Sequence, residues 1–346
     1  MYPSKKIKVF VVDDSVFFRK FLIDNLLKYE NIDVVGYAIN AYDAKNKIPI
    51  LKPDVVTLDV EMPGMNGIDF LKKLMVENPI PVLLVSSLNI SVFDALSAGA
   101  VDFVKKPDMN SKNSVDLFIA EISRKISIAS CSKIKIHTPY KINRDIFKRN
   151  LSLSKSTLDS TVIAIGASTG GTEAILTILK ELPETIPGIV ITQHMPPGFT
   201  KMYAERLNKI CRISVKEAVN GDKILPGQAL IAPGDKQMKV VKMGSTYTVS
   251  CYDGEKVSGH MPSVDVLFNS VAQTVGNNAI GVILTGMGKD GAAGLLNMRK
   301  KGAYTIGQNK ETCVVYGMPM VAYNIGGVCI QAACENIADL IIQKLK

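Results

Sequence analysis

Two groups of residues in this 346-residue chain have types and spacings that can do chemistry. The first is a set of acids with a hydroxyl and an amine: Asp13-Asp14, Asp59, Ser86 and Lys106, each at or just beyond the end of an apolar, β-branched run. Carboxylates brought together repel one another unless a cation joins them, and oxygen donors suit Mg²⁺. A hard cation beside a carboxylate supports phosphoryl transfer by neutralising the phosphoryl oxygens. One Asp at a strand end is more often a helix cap, but capping does not account for the whole set. The second group centres on Gly166-Ala167-Ser168-Thr169-Gly170, which fits Gly-x-Ser-x-Gly. Small neighbours permit a sharp turn that projects the hydroxyl, and the N–H groups of a following helix can hold a developing oxyanion. The rival reading, a glycine-rich phosphate loop, is weakened because Ser168 stands where Gly-x-Gly-x-x-Gly needs its middle glycine.

A serine nucleophile needs a base, and the base needs an orienting carboxylate. The chain has three histidines. His137 lies in a basic stretch; His194 ends an apolar run in Gln193-His194-Met195-Pro196; His260 sits in a loop, Gly259-His260-Met261-Pro262-Ser263. Position favours His194 over His260. Asp290, just past another strand end, is the best-placed acid, with Asp222, Asp235 and Asp265 as weaker candidates. The resulting order Ser168, His194, Asp290 differs from the Ser, acid, His order of the common α/β-hydrolases.

The elements that must position these groups alternate. Strands are expected at 8–12, 34–38, 55–59, 82–86 and 102–104, with helices near 16–28, 41–50, 66–77 and 90–98. Alternation resumes with strands at 161–165, 188–192, 229–231 and 279–284, a hairpin-like pair at 238–242 and 247–251, and helices at 172–182 and 292–301. Continuous apolar strands between helices mean parallel, doubly wound sheets, in which ligands collect at the carboxyl ends of the strands. The fold expected is α/β throughout: a flavodoxin-like (βα)5 unit over 1–123, a linker over 124–158, and a doubly wound α/β unit with an edge hairpin over 159–346.

Composition narrows the setting. Hydrophobic residues make up 47% and charged residues 21%, as in ordinary globular proteins. No leader-like segment or apolar run of membrane-spanning length is present, so membrane insertion is not expected. Six scattered cysteines without a Cys-x-x-Cys pair fit a reducing compartment. The net charge of +9 is concentrated: residues 124–155 hold nine Lys/Arg against one acid, Asp145. That distribution reads as a solvated tether or a docking segment for an acidic partner, and not as a nucleic-acid surface.

On these residues the first 123 positions resemble a response-regulator receiver domain. The resemblance implies that Asp59 accepts a phosphoryl group from a histidine kinase. Asp13, Asp14 and Asp59 would bind Mg²⁺, Ser86 would sense the phosphate and Lys106 would contact it, with Lys105 a neighbouring alternative; Phe103 fits the aromatic switch position and equally fits a core residue. From about residue 160, the segments 166–175, 193–196, 231–234, 262–268 and 284–292 resemble the catalytic domain of the chemotaxis protein-glutamate methylesterases. That resemblance implies Ser168 as nucleophile, His194 as base and Asp290 as orienting acid, with Thr169 and Met287 lending backbone N–H groups to an oxyanion hole. It also implies a cytoplasmic enzyme acting on glutamyl methyl esters, and certain glutamines, of chemoreceptors, with no cofactor for ester hydrolysis. An unphosphorylated receiver would cover the serine. Met261 departs from the family, which usually carries Arg there.

Overall fold

The computed structural model describes residues 5–62, 67–87, 91–134 and 153–346. The chain divides into two compact units, 1–140 and 141–346. His137, most of the basic stretch, and the segment Pro63-Gly64-Met65-Asn66 lie outside the described residues.

The first unit runs β1 (Ile7–Val12), α1 (Val16–Leu26), β2 (Ile32–Ala38), α2 (Ala41–Leu51), β3 (Val55–Leu58), α3 (Gly67–Glu77), β4 (Val82–Ser86), α4 (Ser91–Ser97), β5 (Asp102–Lys105) and α5 (Lys112–Ser130). Its five strands are parallel in the order β2-β1-β3-β4-β5. Every residue of β3 and β4 is buried, because helices cover both faces; this explains why these strands read as unbroken apolar runs. The strand order reverses between β1 and β3, and there the switch-point crevice opens, at Asp13 and Asp59.

α5 corrects the expected boundary. The sequence reading ended this unit at 123 and assigned Arg124 and Lys125 to the linker, yet the helix continues to Ser130. Phe118, Ile122, Ile126 and Ala129 recur every three to four residues and are all buried, so the apolar stripe outlasts the onset of positive charge. Lys125 itself is buried, 3.1 Å from Asp102 and 3.3 Å from Glu121. Burial works against its charge, but those two carboxylates outweigh it and hold the ammonium above its ordinary value.

The second unit runs α6 (Lys155–Ser160), β6 (Val162–Ala167), α7 (Gly171–Glu181), β7 (Gly188–Gln193), α8 (Phe199–Ile210), β8 (Ser214–Glu217), β9 (Gln228–Ile231), β10 (Gln237–Met243), β11 (Thr246–Tyr252), α9 (Val264–Thr274), β12 (Ala279–Ile283), α10 (Ala292–Lys300), β13 (Tyr304–Gln308), α11 (Met318–Asn324), β14 (Ile330–Ala332) and α12 (Cys334–Leu345). Seven parallel strands lie in the order β14-β13-β12-β6-β7-β9-β8. From β6 the chain builds outward through β7, then crosses back to build through β12 on the other side. The switch point is therefore the edge shared by β6 and β12. The expected hairpin is β10–β11, a separate antiparallel pair whose buried Met238, Val240 and Val249 share a core with α9 residues Leu267, Phe268 and Val271.

If α5 belongs to the first unit's core beyond residue 123, Ile126→Ala should destabilise that unit by about 2–4 kcal/mol, the ordinary cost of such a truncation. Urea unfolding of the full chain, followed through the first unit's transition, measures it. A change within experimental error would contradict the assignment.

Candidate active site

Three adjacent strand ends bring the expected esterase residues together. Ala167 pairs with Gln193, the last residues of β6 and β7, so Ser168 and His194 are the next residues on neighbouring strands. The His194 N–H donates to Ala167 O at 3.1 Å and locks that alignment. On the other side Leu284 N–H donates to Gly166 O at 2.9 Å, and Ser168 N–H to Thr285 O at 3.0 Å. The loop after β12 thus continues the ladder into the serine turn. Gly170, with φ +77°, ends that turn and starts α7, a backbone state that strains any residue with a Cβ. Gly286 faces Ser168 so closely that a Cβ there would lie 2.6 Å from Ser168 Cβ. Met287, the next residue, is exposed, and Thr169, directly after the serine, is buried.

Asp290 is almost fully buried. Its Oδ2 accepts from Val264 N–H and lies 2.8 Å from His194 Nε2. Its Oδ1 accepts from the Ser263 hydroxyl at 2.7 Å and the Asp265 N–H at 3.0 Å. Ser263 is the N-cap of α9, and Val264 and Asp265 open its first turn, so the carboxylate sits where a helix presents free N–H groups and partial positive charge. Burial raises the Asp290 pKa, but the His194 contact, the Ser263 hydroxyl and the Asp265 N–H more than offset it and hold the group below its ordinary value. An ionised carboxylate only accepts hydrogen bonds. His194 Nε2 must then carry the ring proton, leaving Nδ1 with the lone pair. Nδ1 is buried and has no hydrogen-bond partner among the described residues. The usual triad connects the acid to Nδ1; here the acid meets Nε2.

Other expected residues fall in and out of the site. His260 is in it, its ring stacked on that of His194 with centroids 3.7 Å apart. Asp265 stands behind Asp290 and accepts from Gly294 N–H; burial, with the Asp290 charge behind it, raises its pKa. Asp222 instead pairs with Lys216 and accepts from Val219 N–H, and Asp235 occupies a turn with φ 57°. Two contributors were not singled out by sequence. The Gln193 amide donates to both Ser168 O at 2.9 Å and His194 O at 3.2 Å, and Ser263 holds Asp290. Ser263 carried a cap signal, a serine before an apolar helix; Gln193 carried none.

In the first unit Lys106 Nζ lies 3.0 Å from Asp13 and 2.6 Å from Asp59, whereas Lys105 is exposed. Burial raises the Asp59 pKa against the pull of Lys106; for Lys106, Asp59 and Asp13 outweigh burial and raise it. Oxygens of Asp13, Asp14 and Asp59 lie within 4.8 Å of one another, an all-carboxylate donor set that fits a hard cation such as Mg²⁺. The Ser86 hydroxyl is fully buried with no partner among the described residues. Phe103 is buried edge-on to Phe93 at 6.5 Å.

A phosphoacceptor-type crevice on one unit and a serine–histidine–aspartate cluster on the other define a response regulator whose output unit is an enzyme. Residues 9–113 match the response regulator receiver domain family, and residues 163–341 match the CheB methylesterase family. The chain is 53% identical to a protein-glutamate methylesterase/protein-glutamine glutaminase of Syntrophomonas wolfei, over 94% of this chain and 93% of that one. It is 46% identical to the protein of that name from Escherichia coli, over 98% and 97%. The crystal structure of the Thermotoga maritima CheB methylesterase catalytic domain is 35% identical and covers 54% of this chain and 98% of its own, with a TM-score of 0.53. The chain belongs to the protein-glutamate methylesterase/protein-glutamine glutaminase family.

Because Asp290 is depressed in the folded state, its contribution to stability is complete above the unfolded carboxylate value of about 4 and is lost as pH falls below it. Asp290→Asn removes that contribution. The gap in unfolding free energy between the two proteins should narrow from about pH 5 to about pH 2, as read by denaturant titration. A gap independent of pH would contradict the assignment.

Proposed function

We propose that this protein hydrolyses glutamyl methyl esters on chemoreceptors, deamidates particular receptor glutamines, and is controlled by phosphorylation at Asp59. The observation that carries the catalytic half is the buried Asp290–His194 pair, which leaves Nδ1 without a partner among the described residues, on the strand end next to the one that leads into Ser168. Nδ1 takes the Ser168 proton as Oγ attacks the ester carbonyl. The carbonyl oxygen becomes an oxyanion held by the backbone N–H groups of Thr169 and Met287, each such donor contributing about 10²–10³ in rate. The imidazolium, stabilised by Asp290, returns the proton to the departing methoxide, and methanol leaves. Water, activated by the same nitrogen, then cleaves the acyl-enzyme to glutamate. With a glutamine the leaving group is ammonia. The names and high identity of the full-length relatives support the substrate, and the intact Ser168–His194–Asp290 set supports an active enzyme over an adaptor that has kept only the fold.

For the receiver, the phosphoryl group passes from a kinase phosphohistidine to an Asp59 oxygen, breaking the P–N bond and forming a P–O bond. Asp13, Asp14 and Asp59 would hold Mg²⁺, which when bound neutralises charge on the phosphoryl oxygens. Lys106 meets one of those oxygens and the buried Ser86 hydroxyl another. Phosphorylation then shifts the chain toward the active state. No helix among the described residues is long and apolar enough to cross a membrane; with chemoreceptor substrates and a kinase donor, a cytoplasmic location fits.

Methanol release from methylated receptor membranes tests the catalytic half. Ser168→Ala should lower it by at least about 10³-fold, as loss of a nucleophile does; unchanged release would overturn the esterase reading. A small-molecule phosphodonor should stimulate release by the full chain. EDTA or Asp59→Asn should abolish the stimulation and leave basal hydrolysis intact. Loss of basal hydrolysis with EDTA would contradict a metal-independent ester step.

A further inference from the structure

His260 lies in a loop tied to the same groups that hold the catalytic carboxylate. Its N–H donates to Val257 O, and its carbonyl accepts from Val257 N–H, both at 3.0 Å. The Gln237 amide donates to His260 O at 3.4 Å, while Gln237 Oε1 accepts from Ser263 N–H at 2.9 Å. Ser263 in turn donates to Asp290. One chain of contacts therefore fixes His260 relative to Asp290 through Gln237 and Ser263. On that support the His260 ring lies face to face with His194, the centroids 3.7 Å apart and the planes 10° from parallel. Aromatic pairs more often sit 4.5–7 Å apart and offset or edge-on, so a close parallel stack on the proposed base is unusual.

The Asp290 contact restrains one ring atom, Nε2, and a hydrogen bond tolerates some 30° of misalignment before weakening. The ring of His194 could still tilt about its Cβ–Cγ bond and swing Nδ1 out of its present plane. A flat neighbour against its face removes that freedom, because tilting either edge drives it into the second ring. A displacement of about 1 Å at a reacting group can cost about 10²-fold in rate. Resting on the esterase reading above, we propose that His260 is a positioning residue: its stacked ring fixes the plane of the His194 imidazole so that Nδ1 addresses Ser168 while Nε2 stays on Asp290. The role needs a flat ring, and needs neither a proton nor a hydrogen bond from His260.

The test uses the full chain and methanol release from receptor membranes at varied receptor concentration, comparing His260→Ala, His260→Leu and His260→Phe with the unaltered protein and with Ser168→Ala. His260→Ala and His260→Leu should lower kcat about 10–100-fold with KM within about twofold, while His260→Phe keeps kcat within about threefold. Leucine fills the space without a flat face, so its agreement with Ala, and its difference from Phe, separates ring positioning from loop packing. Thermal unfolding of each variant identifies any that fails to fold, and the Leu–Phe comparison stands without the Ala variant. A wild-type kcat in Ala or Leu, a Phe variant as slow as Leu, or an effect confined to KM would each overturn the proposal. Should the unaltered protein show no Ser168-dependent release, the esterase reading itself fails; normal Ser168-dependent release with unimpaired His260 variants overturns the stacking role alone.

Discussion

The second unit is organised around a carboxylate taken out of water. Burying an ion of this kind costs several kcal/mol unless its lone pairs are met. Asp290 has both oxygens occupied, by the Ser263 hydroxyl, two first-turn N–H groups of α9, and His194. That cradle exists only if α9 begins at Ser263 and points its N-terminus at the loop after β12. Two elements distant in sequence must therefore arrive together before the acid can be accommodated. Once it is, its charge dictates the rest: Nε2 of His194 carries the proton and Nδ1 is the basic nitrogen.

The sheet supplies the second requirement, alignment. Parallel strands fix which residues neighbour each other, and β6 supports β7 and β12 on its two edges. The serine turn, the histidine and the loop to Asp290 are thus continuations of three adjacent strands at the switch point. This also accounts for the chain order of the proposed triad. The histidine follows the strand next to β6 in sequence, and the acid follows the strand reached after the chain crosses back. An α/β unit with another strand order would place the same chemistry in another sequence order. The receiver uses the same geometry differently: its switch point gathers Asp13 and Asp59 about one ammonium, Lys106.

Much of this was legible in the sequence because parallel, doubly covered strands are apolar along their whole length and end abruptly. Asp59, Ser168, His194 and Asp290 were found as the residues at those ends. What stayed hidden depends on contacts between distant segments. Choosing between His194 and His260 as the base was a matter of position, and no pattern in the chain reveals that one stacks on the other. Nor does spacing disclose which imidazole nitrogen faces the acid, since that follows from Ser263 and the first turn of α9. Gln193 looks like any strand-end amide until its two carbonyl partners are seen. The start of the linker was misplaced for a local reason: Arg124 and Lys125 signalled solvent, whereas the stripe through Ile126 and Ala129 continued the helix, and Lys125 is matched by Asp102 and Glu121.

The central claim is that the buried charge of Asp290 sets the tautomer of His194. Nitrogen NMR of the full chain labelled with ¹⁵N-histidine, with the His194 signals assigned by their loss in His194→Gln, reads that tautomer directly. At neutral pH the account predicts a protonated Nε2 and a bare Nδ1, with Asp290→Asn allowing the proton to redistribute between them. A bare Nε2 with the proton on Nδ1, or a tautomer unaffected by Asp290→Asn, would contradict it.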